Sequence, residues 1–143
     1  MAEKQFKLTF DGYWKDKSIT KVPEKSGVYC VYTGTVDVLN QKSKFVIHKL
    51  AYIGDSDNAN LTVSNHEKNG DFRKYIGDRQ IICYSFAPLE KEFRERVKKA
   101  LILSNSPIGN SLTVKSFEFD KTKISCDGQV SLLKKEITME KKI

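Results

Sequence analysis

The chain reads as one α+β domain, a small mixed or antiparallel sheet flanked by helices. Three observations predict this. Residues 28–32 (Val-Tyr-Cys-Val-Tyr) and 45–53 are β-rich runs, close enough in sequence to pair as an antiparallel hairpin. Residues 81–86 (Ile-Ile-Cys-Tyr-Ser-Phe) form a third such run, broken by Pro88. After it, Leu89, Phe93, Val97, Ala100 and Leu101 fall at the spacing of an amphipathic helix. With 143 residues and no Pro/Gly/Ser-rich linker, a single domain over 1–143 is expected.

The elements follow in order. Residues 5–10 alternate polar and apolar as a short strand does, and Asp11-Gly12 marks a turn after it. Residues 33–43 are polar and read as a loop or insertion between the first two β-runs. Asp55-Ser56-Asp57-Asn58 offers N-caps for a short helix reaching about Lys68, which Asn69-Gly70 stops. Glu90 and Glu92 suit the first turn of the long helix, and Pro107 closes it. Two further β-like runs, 112–119 and 129–133, are expected in a C-terminal β extension over 111–143, separated by Cys126-Asp127-Gly128.

The bulk numbers narrow the function classes. Apolar content of 39% and charged content of 30% are those of an ordinary soluble protein. No stretch approaches the roughly 18 apolar residues of a membrane span, and the N-terminus lacks the apolar core of a signal peptide. A cytoplasmic protein without a membrane partner is expected. Cys30, Cys83 and Cys126 are odd in number and form no CxxC pair, so they read as buried thiols rather than disulfides, zinc ligands or nucleophiles. The net charge of +7 makes nucleic acid the first partner to consider.

The paired runs carry Gly27-Val28-Tyr29 and Tyr52-Ile53-Gly54. A capped helix, a strand and a long helix follow, and the long helix leads through Ala100-Leu101-Ile102 to Pro107-Ile108-Gly109-Asn110. On these residues, over a core of about 22–110, the chain resembles the GIY-YIG endonuclease family. Tyr75-Ile76-Gly77 repeats the tripeptide but precedes a strand rather than a helix, and is set aside as chance recurrence. The resemblance implies metal-dependent phosphodiester hydrolysis: water activated near two tyrosines, an Arg steadying the phosphate, a Glu holding one divalent ion (Mg²⁺ or Mn²⁺), and an Asn supporting the site.

Tyr29, Tyr52 and Asn110 stand at the retained family positions, and His66 at one where the family often has His. Thr62 stands where the Arg is expected, and Lys98 where the Glu is expected. A cation at the metal-ligand position repels a hard divalent ion, which needs oxygen donors. Glu95, one turn before Lys98, is the candidate replacement metal ligand. Among Arg94, Arg96, Lys98 and Lys99, a solvated helix face is the default reading. Lys98, Lys68 and Arg94 are the candidate nucleic-acid contacts. His48 reads as a strand surface residue.

The expectation is a GIY-YIG-type protein deficient in nuclease activity, binding DNA through a basic cleft and needing Mg²⁺ or Mn²⁺ only if active. Two alternatives stand beside it. One is a metal-dependent endonuclease with a rearranged site built on Tyr29, Tyr52, His66 and Glu95. The other is a protein-interaction or inhibitor module with a protein partner.

Overall fold

The computed structural model describes residues 2–39, 42–110 and 113–142. In chain order it contains β1 (Lys4–Trp14), β2 (Gly27–Leu39), β3 (Lys42–Ser56), α1 (Ala59–Asn69), β4 (Gln80–Pro88), α2 (Lys91–Asn105), β5 (Thr122–Gly128) and β6 (Glu136–Met139). Short 3₁₀ turns lie at Asp16–Lys21, Arg73–Tyr75 and Ile108–Asn110. The strands form one six-stranded mixed sheet in the order β3-β2-β4-β1-β5-β6. β1 and β5 are parallel, and the other neighbours run antiparallel. The fold is the expected α+β class.

Strand alternation sends residues to two cores. On β2, Val28, Cys30 and Tyr32 join the α2 residues Val97, Ala100, Leu101 and Ile102 on one face. Tyr29 and Val31 join Ala59 and Val63 of α1, with Phe72, Tyr84 and Phe86, on the other. The period of two therefore decides which helix each motif residue meets. Asn58 caps α1, its side chain accepting from the Leu61 N–H, and Gly70 ends it in the left-handed region at φ 66. No helix among the described residues is long and apolar enough to cross a membrane. The three cysteines are free and buried, and burial pushes each thiol up to about 12, which removes the reactive thiolate at neutral pH.

Three sequence expectations are corrected. Residues 33–39 and 42–43, expected as part of a loop, are strand: β2 and β3 continue as a ladder to the pair Leu39 and Lys42, while Asn40 and Gln41 lie outside the described residues. The last β4 partner is Gln80, opposite Thr35, so beyond that point the hairpin has no third strand beside it among the described residues. Polar composition therefore misleads there, and even Val36 is exposed. Asp11-Gly12 does not end the first strand. β1 runs on to Trp14 through an irregularity in its pairing with β4, where Gly12 adopts φ +139 and a Cβ would lie 2.7 Å from the Tyr84 carbonyl oxygen.

The tail strands are displaced as well. Residues 113–119 form no strand, and Leu112 lies outside the described residues; Phe117 is instead a core side chain without a ladder. The strands are β5 and β6, and Cys126-Asp127-Gly128 ends β5 rather than separating two strands. In β5, Thr122, Ile124 and Cys126 are buried in strict alternation. This tail is part of the main sheet, since β5 lies alongside β1 from Lys4 to Phe10.

Candidate functional site

The two glycines of the paired motifs are required by close approach. A Cβ at Gly54 would fall 2.5 Å from Cζ and Oη of Tyr29, so the Tyr29 ring can lie across β3 only because residue 54 has no side chain. A Cβ at Gly27 would meet the Ala87 carbonyl oxygen at 2.1 Å. Tyr29 and Tyr52 come together on the α1 face, their ring centroids 6.2 Å apart.

His66 completes this cluster. Its Nε2 lies 2.8 Å from the Tyr29 hydroxyl, and its Nδ1 lies 2.7 Å from Oδ2 of Asp71. With Asp71 accepting from Nδ1–H, Nε2 accepts a hydrogen bond from the Tyr29 hydroxyl, giving an Asp71–His66–Tyr29 relay. Phe72 packs against the imidazole at 4.7 Å and against Tyr52 at 5.2 Å, fixing both rings. Burial above all, then Tyr52 and Asp55, raises the Tyr29 pKa far above its ordinary value. The hydroxyl thus stays protonated and donates, which opposes its use as a general base.

The charged positions assemble on the side of α2. Lys98 donates to Oδ1 of Asp55 at 2.7 Å, directly after the Tyr52-Ile53-Gly54 motif. Arg94, one turn earlier and buried, donates to Oδ2 of Asp55 at 3.2 Å, to Oδ1 of Asp57 at 2.7 Å and to Oγ of Ser26 at 2.9 Å. The Arg94 hydrogen bond holds the Asp57 carboxyl below the usual carboxylate range. Thr62 bonds the Ser56 hydroxyl at 2.5 Å, and that hydroxyl accepts from the Asn58 N–H. Arg94 and Thr62 line one shallow cleft with Asp55 and Asp57. A guanidinium therefore does stand beside Thr62, but it comes from α2 and is held by two carboxylates.

The remaining candidates are placed as follows. Glu95 is exposed and pairs with Lys99, which also pairs with Glu118 of the tail. Lys68 is exposed at the end of α1. Asn110 is buried, and its side-chain amide clasps one residue of β3: Oδ1 accepts from the Ile53 N–H at 2.8 Å and Nδ2 donates to the Ile53 carbonyl at 3.0 Å. It pairs with the outer edge of β3 as a neighbouring strand would. His48 bonds Thr35 on the exposed strand surface. Arg96 is buried, donating to the Thr122 hydroxyl and to the carbonyls of Ala2, Asp120 and Lys121. The solvated-face reading of the 94–99 run is therefore corrected for Arg94, Arg96 and Lys98, which are committed to partners within the fold, while Lys99 pairs at the surface with Glu95 and Glu118.

The donor set does not fit a divalent ion. The carboxylate nearest the second motif, Asp55, already receives an ammonium and a guanidinium, and among the described residues no three His, Cys, Asp or Glu side chains gather to hold a metal. Sequence reasoning missed Asp71 and Phe72, and took Asp55 and Asp57 only as N-cap candidates. The available signal was the pair of acids directly after the second motif, facing two bases four residues apart on the long helix. Comparison with protein-family models, with curated proteins and with solved structures finds no match for the chain.

Proposed function

We propose that this chain is a GIY-YIG-type protein without phosphodiesterase activity, which contacts DNA through its surface charge. The observation that carries the reading is the Lys98–Asp55 pair: an ammonium occupies the position at which the resemblance calls for a metal-binding carboxylate. An internal ion pair there neutralises the carboxylate that a divalent ion would need. The net charge of +7 supports the DNA contact. Lys98 and Arg94 are tied to aspartates, so the exposed Lys68, Arg73 and Lys74 at the end of α1 and just beyond it carry the contact.

Fluorescence anisotropy with a labelled oligonucleotide tests this. Binding is expected to be sequence-independent, in the range of about 10⁻⁴–10⁻⁶ M near physiological salt, with log K falling linearly with log salt. Lys68→Glu weakens it several-fold, and Lys98→Ala leaves it within about two-fold. Salt-independent binding, or no binding at low salt, contradicts the proposal.

The reading as a protein-interaction module is favoured by a separate observation. A groove of about 620 Å³ opens between α2 and the C-terminal segment, floored by Leu103, Phe117 and Met139.

A further inference from the structure

The groove between α2 and the C-terminal segment has the size of a small-ligand site as well as the apolar floor a partner would use. Its volume is about 620 Å³, and sites for small molecules run from roughly 300 to 1,000 Å³. Leu103, Phe117 and Met139 line it with apolar surface. Phe117 packs against Phe119, their ring centroids 5.4 Å apart, which fixes one wall. Met139 is half-buried, and its unbranched side chain adapts to the shape of an apolar occupant. The remaining lining is charged. Lys141 pairs with Asp120, and Glu118 pairs with Lys99. Lys115 and Lys142 are exposed at the groove, and among the described residues neither ammonium pairs with a carboxylate. Against these two stands one carboxylate in the same condition, Glu140.

These features select the occupant. A heterocycle or a peptide segment brings several uncharged donors and acceptors. Among the lining side chains Ser116 is the one uncharged polar group to meet them, so most of their desolvation goes uncompensated. A hydrocarbon chain has no such groups to lose, and each methylene it buries adds to its binding. A cationic head is repelled by Lys115 and Lys142, and an anionic head is attracted by both. We propose that this groove binds a single-chain anionic amphiphile of the fatty-acid type, its chain on Leu103, Phe117 and Met139 and its carboxylate at the Lys115 and Lys142 rim. The proposal goes beyond the charge-based DNA contact and does not depend on it. A protein segment in the same groove is the competing occupant, and the test separates the two.

The test is an amide-resolved NMR titration of the full chain with dodecanoate, kept below the concentration at which it forms micelles. Saturable shifts are expected at Leu103, Ser116, Phe117 and Glu140, with the amides of Tyr29 and His66 unmoved. Dodecyltrimethylammonium, the same chain with a cationic head, binds about ten-fold more weakly. Decanoate, two methylenes shorter, binds about five-fold more weakly, since an open groove buries each methylene only in part. Lys115→Glu and Lys142→Glu each lose several-fold in affinity and keep the wild-type melting temperature, because both side chains are exposed. Leu103→Glu puts a carboxylate on the floor and removes binding. Absence of saturable shifts, shifts spread over the whole basic surface, equal binding of the anionic and cationic chains, or wild-type affinity in both lysine variants overturns the proposal. Shifts at the same amides that grow with protein concentration alone assign the groove to a second copy of the chain. Shifts with an acidic amphipathic peptide but none with dodecanoate assign it to a protein partner. Either of these results also overturns it.

Discussion

Replacing Asn110 by alanine is expected to destabilise the protein by about 3 kcal/mol, since it strands two backbone groups at roughly 1–3 kcal/mol each. The side chain is buried and returns both hydrogen bonds to Ile53, between the tyrosine and the glycine of the second motif. Without it, the Ile53 N–H and carbonyl lose their partners on the outer edge of β3. At about 2–4 °C per kcal/mol for a chain near this size, the melting temperature falls by roughly 10 °C. Thermal denaturation followed by circular dichroism reads this, and hydrogen exchange of the Ile53 amide accelerates in parallel. An unchanged melting temperature would show that water replaces the clasp at no cost. Asn110 is thus a positioning residue, whose effect on the tyrosine cluster runs through the backbone of β3.

Lys98→Glu is the second large effect. It turns an attraction into a like-charge contact beside Asp55, with both side chains only partly exposed. Arg94 still holds Asp55, so the protein remains folded, and the expected loss is about 2 kcal/mol. The variant also creates a pair of carboxylates suited to a hard divalent ion. Millimolar Mg²⁺ or Ca²⁺ is therefore expected to raise the melting temperature of Lys98→Glu and to leave that of the wild type unchanged. If neither protein responds, or both respond alike, the site was not held closed by the lysine.

The parts of the fold legible in the sequence are those governed by local pattern. Val28 to Tyr32 and Ile81 to Phe86 are apolar on both faces because α1 and α2 cover the two sides of the sheet. Asn58 and Gly70 act through chemistry confined to a few residues, so the bounds of α1 were readable. The distal half of the hairpin was not, because strands without a second neighbour need no apolar face. The tail was not either: β5 alternates weakly in composition and is made a strand by β1, more than a hundred residues away.

The candidate site divides in the same way. The tyrosines and His66 were found by position. The partners that determine what those residues do came from elsewhere: Asp71 for His66, Asp55 for Lys98, Ile53 for Asn110. Arg94 and Arg96 show the limit most clearly, since nothing in a run of basic residues tells which ones will meet carboxylates or carbonyls and be buried.

The central claim, that an internal ion pair has replaced the metal site, is tested most directly by cleavage of supercoiled plasmid with Mg²⁺ or Mn²⁺, using the wild type beside Tyr29→Phe. The account predicts that neither protein nicks or linearises the plasmid above the buffer control. Metal-dependent cutting by the wild type that disappears in Tyr29→Phe would contradict it, and would assign the Asp71–His66–Tyr29 relay to catalysis.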